Sequence, residues 1–281
     1  MGSTPLLSFV ILTWNSSRTI GETLSSIVRT MADNRIRAFE VLVVDNGSTD
    51  ATLEVLKGYG ETARLRVTPL PVNRGTTYSR NLALREAAGT YVCVLDSDVA
   101  IRTWRVRESL DFVDANRCLL APRLVYPDGS VQNSVKKFPT LTAKLLKITK
   151  ILFGIQRFAR LDFYPEMPFG DIRNVETAIS AFWLFPRDFL ATVGLLDERF
   201  FYAPEDVDYC IRVQRAGHPV CYYPALVAVH HTQQISHANP FGRVALSHLS
   251  GLLRYFLKHG YWLRAPRLDV GGGQPDRSRP A

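Results

Sequence analysis

Residues 39–47 read FEVLVVDNG, a run of apolar, largely β-branched residues closed by Asp45, Asn46 and Gly47. A continuous run of this kind suits a strand buried on both faces of a parallel sheet, and the closing triplet is turn chemistry. Toward the N-terminus, residues 6–14, LLSFVILTW, repeat the pattern. Between the two runs, RTIGETLSSIVRTMA spaces Ile20, Leu24, Ile27 and Met31 as one face of a helix. Toward the C-terminus, TDATLEVLKGYG reads as a second helix through Leu53, Val55 and Leu56. LRVTPL (65–70) then reads as a third strand, SRNLALREAAG as a third helix and TYVCVLDSD (90–98) as a fourth strand. Strand alternating with helix calls for right-handed crossovers, hence an α/β fold with a mostly parallel, Rossmann-like sheet flanked by helices.

That topology says where to look for chemistry. In open α/β sheets ligands gather beyond the carboxyl ends of the strands. Thr13 and Asn15, Asp45 and Asn46, and Asp96 and Asp98 all fall there. The stretch VCVLDSDVA (92–100) has two readings. Asp and Ser are ordinary turn residues, so a solvated turn is one. The other is a pair of carboxylates holding a divalent cation, since hard cations take oxygen ligands.

The chain has 281 residues, 46% hydrophobic and 21% charged, enough to bury a sizeable core as one domain of two halves. Its formal charge of +8 favours anionic partners, with general solubility as the plain alternative. Cys93, Cys118, Cys210 and Cys221 are scattered with no CxxC pair, which fits a reducing, cytoplasmic setting. The opening MGSTPLLSFVILTWNSS lacks a basic leader region and reads as a first core strand. No run reaches the roughly 18 apolar residues of a spanning helix, so membrane contact is expected to be peripheral.

Downstream, residues 136–164 place Leu141, Leu145, Ile148, Leu152 and Ile155 on one helical stripe, with Lys144, Lys147, Lys150 and Arg157 around it. This reads either as a helix on an anionic membrane surface or as a surface helix on its own core. FGRVALSHLSGLLRYFLKHG follows as another helix, and DVGGGQPDRSRPA as a disordered tail.

Two phosphate-binding signatures, G-x-G-x-x-G and G-x-x-x-x-G-K-[ST], are missing, so a nucleotide would be held by other means. A metal between carboxylates and a diphosphate is one such means. In RFFYAPEDVDYCIRVQRAGH (199–218), Glu205, Asp206 and Asp208 enter a helix, either as first-turn acids favoured by the macrodipole or as a general base facing a cleft. ALVAVHHTQQISH (225–237) is a strand ending in His230 and His231, surface residues or metal ligands.

The order of these pieces resembles the inverting, nucleotide-sugar-dependent glycosyltransferases of family 2, which have the GT-A fold. The matching residues are VILTWNSSRTIGETLSSI, EVLVVDNGSTDAT, NRGTTYSRNLALREAAGTYVCVLDSDV and VGLLDERFFYAPEDVDYCIRVQRAGHPVCYYPALVAVHH, colinear from about residue 7 to 260. The rhamnosyltransferase-like members look most similar. The resemblance implies that Asp45 and Arg80 hold the nucleotide base, with Thr13 and Asn15 lining the same pocket. Asp96 and Asp98 match the D-x-D pair, the first near ribose and metal, the second on the metal, expected to be Mg²⁺ or Mn²⁺. Asp206 matches the catalytic base, and His230 the metal-assisting histidine, with His231 as the alternative because strand register decides which side chain points inward. Ser180 stands where relatives often carry glycine, with Trp183 close behind, a departure that bears on the shape of the sugar pocket.

The expected organisation is a nucleotide-sugar-binding half (1–110), an acceptor-binding and catalytic half (111–232), a helical segment (233–268) and the tail (269–281). The expected reaction moves a sugar, dTDP-rhamnose being one candidate donor among UDP- and dTDP-sugars, to a glycan or polyprenyl-linked glycan at the cytoplasmic membrane face. The alternative is a non-catalytic nucleotide- or glycan-binding module of the same fold. A nucleotidyltransferase is disfavoured by the lack of an early glycine-rich loop, and nucleic acid is not an expected partner.

Overall fold

The computed structural model describes residues 4–60, 64–146, 161–232 and 243–265, with the side chains of 243–248 outside that description. The opening half follows the expected alternation: β1 (Leu7–Thr13), α1 (Ile20–Asp33), β2 (Phe39–Asp45), α2 (Thr52–Lys57), β3 (Leu65–Pro69), α3 (Thr76–Glu86) and β4 (Tyr91–Asp96). Then come β5 (Val99–Thr103), α4 (Val106–Asn116), β6 (Leu119–Val125), β7 (Val135–Lys136) and a helical stretch α5 over 141–146. The remaining elements are β8 (Arg173–Asn174), β9 (Thr177–Ala178), β10 (Phe182–Pro186), α6 (Phe189–Thr192), α7 (Glu205–Arg215), β11 (Val220–His230) and α8 (Arg243–His259).

The main sheet runs β3-β2-β1-β4-β10-β6-β11-β5, with β8 on β11. β3, β2, β1 and β4 are mutually parallel, as are β6 and β11; β10 runs antiparallel between β4 and β6, and β5 antiparallel to β11. Both faces are covered, and β1 shows how. Leu7, Phe9 and Ile11 point to the face packed by α1 and α4, while Val10 points to the face packed by α3 and α7, the two-residue period of a strand. The helical stripe of α1 is buried as spaced: Ile20, Leu24, Ile27 and Met31 are at most 1% exposed. Each such side chain contributes about 1.5–3 kcal/mol by leaving water. A third cluster, with Phe200, Ile211, Tyr255, Phe256 and Tyr261, joins α7 to α8.

Register places the strand ends level. Thr13 pairs with Asp45 and Leu12 with Asp96, so β1, β2 and β4 finish on one line. The antiparallel β10 starts where β4 ends: Phe182 pairs with Leu95, and the Asp96 N–H donates to the Ala181 carbonyl at 2.9 Å. Reversal of this one strand brings Ser180 to the same edge. From the other side, His230 at the end of β11 pairs with Val99 at the start of β5, one residue past Asp98.

The amphipathic stripe expected from Leu141 to Ile155 is seen over 141–146; Ile148, Leu152, Ile155, Lys147, Lys150 and Arg157 lie outside the described residues, as does the expected tail. Leu141 packs on the α7–α8 cluster, Leu145 is exposed, and Lys144 lies 3.7 Å from Asp162. Among the described residues no helix is long and apolar enough to cross a membrane.

Candidate active site

The shared strand edge opens into a cavity of about 470 Å³, lined by Asp96, Ser97 and Asp98 from the β4–β5 turn, Ser180 ahead of β10, Glu205 and Asp206 from α7, and His230 from β11. That volume falls within the usual range of small-ligand sites. Elements far apart in sequence supply one wall, which is why no short window of the chain displays it.

The centre of the wall is Arg80, 2% exposed, reaching up from α3. One guanidinium nitrogen donates to Asp96, and the other donates to Ser180 Oγ at 2.7 Å and lies 3.6 Å from Glu205 Oε1. Ser180 Oγ in turn donates to Glu205 Oε1 at 3.0 Å. Arg80 Nε is buried without a hydrogen-bond partner. Ser180 therefore links Arg80, the partner of Asp96, to Glu205 at the start of α7. Trp183 stays out of the cavity. It is buried, stacks on Tyr209 at 5.4 Å and donates its indole N–H to the Ala178 carbonyl.

Asp96, Asp98 and His230 each offer a ligand atom, all within 4.8 Å of one another. His230 Nε2 lies 3.4 Å from Asp98 Oδ1, and its Nδ1 is 2.9 Å from Gln132 Oε1. With Nδ1–H donated to the Gln132 amide oxygen, the Nε2 lone pair faces the two carboxylates, the usual way a second partner orients a metal-binding imidazole. Two carboxylates and an imidazole are a donor set that fits Mg²⁺ or Mn²⁺. Register separates the two histidines: β11 shifts between Tyr223 and Val227, and past the shift His230 faces Asp98 while His231 Nε2 sits 3.1 Å from Glu22 on the α1 side.

The acids here are uneasy. Burial pushes Asp96 above the usual carboxylate range, with Arg80 pulling the other way and Asp98 adding to the rise. Burial and then the charge of Asp206 push Glu205 up to about 8, against Arg80 and Ser180. Asp206 is also raised by burial, opposed by the Val207 N–H, Lys136 and Arg80. His230 is pushed down by burial, but the hydrogen bond and charge of Asp98 outweigh it and leave it raised.

Thr13, Asn15 and Asp45 lie beside the cavity rather than on its wall, where β1 contributes Leu12 and the following loop Trp14 and Ser16. Asp45 is 1% exposed and accepts from Thr13 Oγ1 at 2.9 Å, Ser48 Oγ at 2.5 Å and Ser48 N–H at 3.1 Å. Asn15, at φ 51°, donates its N–H to Ser48 Oγ and accepts the Thr49 N–H at its Oδ1, both at 2.8 Å. Left-handed backbone is tolerated by asparagine better than by most residues. These residues latch the β1 and β2 loops together. Gln132 had no sequence signal: it is a lone glutamine in the loop after Asp128–Gly129, and only the fold carries it to His230.

Comparison with known proteins agrees with this architecture. The family model described as glycosyl transferase family 2 matches residues 8–194, which include Asp96, Asp98 and Ser180 and stop before α7 and β11. An N-acetylglucosaminyl-diphospho-decaprenol L-rhamnosyltransferase of Mycobacterium tuberculosis is 28% identical over 251 residues, 82% of this chain and 78% of that protein. The poly(ribitol-phosphate) beta-N-acetylglucosaminyltransferase TarS of Staphylococcus aureus is 36% identical over 108 residues, 38% of this chain and 18% of TarS. Among solved structures, TarS 1-349 with UDP-GlcNAc superposes at TM-score 0.54 and 20% identity, over 83% of this chain and 61% of that one. GalNAc-T7 with UDP, GalNAc and Mn²⁺ superposes at TM-score 0.64 and 14% identity, over 92% of this chain and 48% of that one. The mannosyltransferase PcManGT of Pyrobaculum calidifontis, with GDP-Man and Mn²⁺, superposes at 0.57 and 17% identity, over 95% of this chain and 68% of that one. A family match across well over half the chain, on a sheet shared with these transferases, identifies this chain as a member of glycosyl transferase family 2 with the GT-A fold.

Proposed function

We propose that this glycosyltransferase moves a sugar, L-rhamnose from dTDP-rhamnose being the first candidate, onto a hydroxyl of a polyprenyl-diphosphate-linked glycan with inversion. The observation that carries the reading is one cavity that presents Asp96, Asp98 and His230 together with Asp206. The rhamnosyltransferase relative, similar along 82% of this chain, supports the sugar and the lipid-linked acceptor.

In this reading residues 1–110 hold the nucleotide and residues 111–232 the acceptor. Asp45, Thr13 and Asn15 shape the loops that receive the base, and Arg80 and Asp96 stand at the inner end of the nucleotide site. Asp96, Asp98 and His230 would hold Mg²⁺ or Mn²⁺, whose charge would offset that of the departing diphosphate. Asp206 takes the acceptor's hydroxyl proton while that oxygen attacks the anomeric carbon from the face opposite the breaking bond to the diphosphate, through an oxocarbenium-like state. The state of Glu205 suits this division of labour. Glu205, pushed up to about 8, stays protonated at neutral pH and so is the poorer candidate for base of the two.

The test is a screen of nucleotide sugars for diphosphate release, with and without Mn²⁺ or Mg²⁺, repeated with a polyprenyl-diphosphate-GlcNAc acceptor. Turnover with dTDP-rhamnose that needs both metal and acceptor is expected; donor binding without any turnover would sink the reading.

A further inference from the structure

We infer that the outer face of α8, continued by Trp262, Leu263 and Leu145, is a surface that docks on an anionic lipid bilayer. Helix geometry isolates the face. Gly251, Tyr255 and His259 are buried, each four residues apart, while Leu249, Leu253 and Leu257 keep the same spacing and are 65%, 56% and 69% exposed. The two stripes are offset by two residues, about 200° around the helix, so they lie on nearly opposite sides. A helix apolar on both sides has its second side in contact with something other than water.

The stripe does not end with the helix. Trp262 stacks on Phe256 at 5.6 Å, and Leu263, 79% exposed, follows it. The Leu141 and Thr142 N–H groups donate to the Tyr261 and Trp262 carbonyls, which sets α5 and its exposed Leu145 against the same corner. Of the ten large apolar side chains exposed among the described residues, six belong to this face. Scattered exposed leucines are ordinary on a protein surface; a contiguous set is a contact surface.

Charge selects the occupant. Residues 243–265 contain no Asp or Glu and carry Arg243, Arg254, Lys258 and Arg264; residues 136–147 likewise hold no acid and four lysines. Arg254 and Arg264 are exposed beside the leucines. Lys258 is taken up by Asp197 and Asp208, which leaves Arg254 and Arg264 as the cations of the patch; a second copy would bring these against themselves with no acid of residues 243–265 to answer them, since a two-fold contact is self-complementary. An anionic bilayer answers both features: its headgroups meet the arginines, its acyl boundary receives the leucines, and a tryptophan at the rim suits the interface between them. The opposite, buried side of the same helix leads to the cavity. Gly251 is packed so closely on the 201–204 loop that an added Cβ would collide with the Ala203 carbonyl oxygen, and Tyr202 and Ala203 of that loop line the cavity. Docking through the outer side of α8 therefore holds the cavity-lining loop about one helix diameter, roughly 10–12 Å, from the bilayer surface. This deepens the lipid-linked acceptor reading by naming the surface, and it is measurable without turnover.

The experiment is co-sedimentation of the full chain with phosphatidylglycerol-containing and pure phosphatidylcholine vesicles, together with tryptophan emission. Wild type is expected to bind the anionic vesicles and to shift its emission to the blue. Leu253→Asp with Leu257→Asp, and separately Arg254→Glu with Arg264→Glu, are each expected to weaken partitioning at least tenfold with unchanged melting and unchanged donor hydrolysis. Trp262→Phe should keep binding and lose the blue shift. Wild type that ignores anionic vesicles, leucine variants that bind them equally well, or a stripe that instead drives concentration-dependent dimerisation would each overturn the inference and leave the transferase reading standing.

Discussion

Two clusters of buried charge share helix α7, and they treat their acids in opposite ways. On the cavity side, Asp96, Asp98, Glu205 and Asp206 are answered by Arg80 and His230, and the carboxyls of Asp96, Glu205 and Asp206 are raised. On the α8 side, Asp208 accepts from Lys258 at 2.5 Å, His259 at 2.8 Å and Arg212 at 3.0 Å. Asp197 next to it is held by Lys258 at 2.7 Å and Arg199 at 2.6 Å. Burial works upward on Asp208, but His259, Arg212 and Lys258 outweigh it, and Asp197 is lowered first by Arg199. Asp206 and Asp208 are two residues apart, hence about 200° around the helix. One short motif thus feeds a reactive face and a structural face. Acids left under-compensated stand to gain from a bound cation, whereas acids fully matched by cations anchor one helix to another.

The sharpest way to break this contrast is to remove charge from the cavity. Asp98→Asn should reduce metal-stimulated transfer to background while melting stays unchanged or rises, because the crowded cluster loses one carboxylate. Full activity in that variant would falsify the assignment of Asp98 to the metal. Next in size, Asp206→Asn should lower kcat at least ~100-fold, the scale of general-base loss, with donor binding retained in calorimetry. If Glu205→Gln were the crippling change instead, the base would have been placed one residue late.

On the structural side, Asp208→Asn should lower folding stability by about 3 kcal/mol, since it takes from His259 and Arg212 the carboxylate they bond, while Lys258 keeps Asp197. Denaturant unfolding would register the loss, with kcat per folded molecule nearly preserved. A collapse of kcat without a change in stability would erase the distinction between the two faces. The smallest effect is the pH dependence. Asp208 and Asp197, lowered in the fold, add stability that is complete above the ordinary carboxylate range and disappears as pH falls through their lower folded values. Glu205 has the opposite sign. Between its ordinary range and about 8 the folded chain keeps a proton that the unfolded chain releases, so stability declines as pH rises through that window. Glu205→Gln should flatten the slope there, read as melting temperature against pH; an unchanged slope would mean that Glu205 ionises normally.

Much of the first half was legible because β1, β2 and β4 are buried on both faces and so read as nearly unbroken apolar runs. β1, β2 and β4 fall where those runs lie, and Asp96 and Asp98 close the last of them. The second half was less legible. β10 reads as an apolar segment, yet nothing local tells that it inserts antiparallel between β4 and β6. Ser180 was visible as a departure from the family pattern, but its bridge from Arg80 to Glu205 spans 100 residues on one side and 25 on the other.

By itself the sequence determined the class of fold, the sheet edge where the chemistry gathers and the side-chain types available there, because periodicity and turn residues are local properties. Tertiary structure alone set His230 against Asp98 and His231 against Glu22, on a strand whose register shifts between Tyr223 and Val227. It decided that Asp208 turns away from the cavity to α8, and that Gln132 meets His230 across 98 residues. It also decided that the apolar side chains of α8 form two faces, one buried and one bare. The physical reason is common to all of these. A side chain's role depends on which partners close around it, and for residues distant in sequence those partners are set by strand order, register and helix packing.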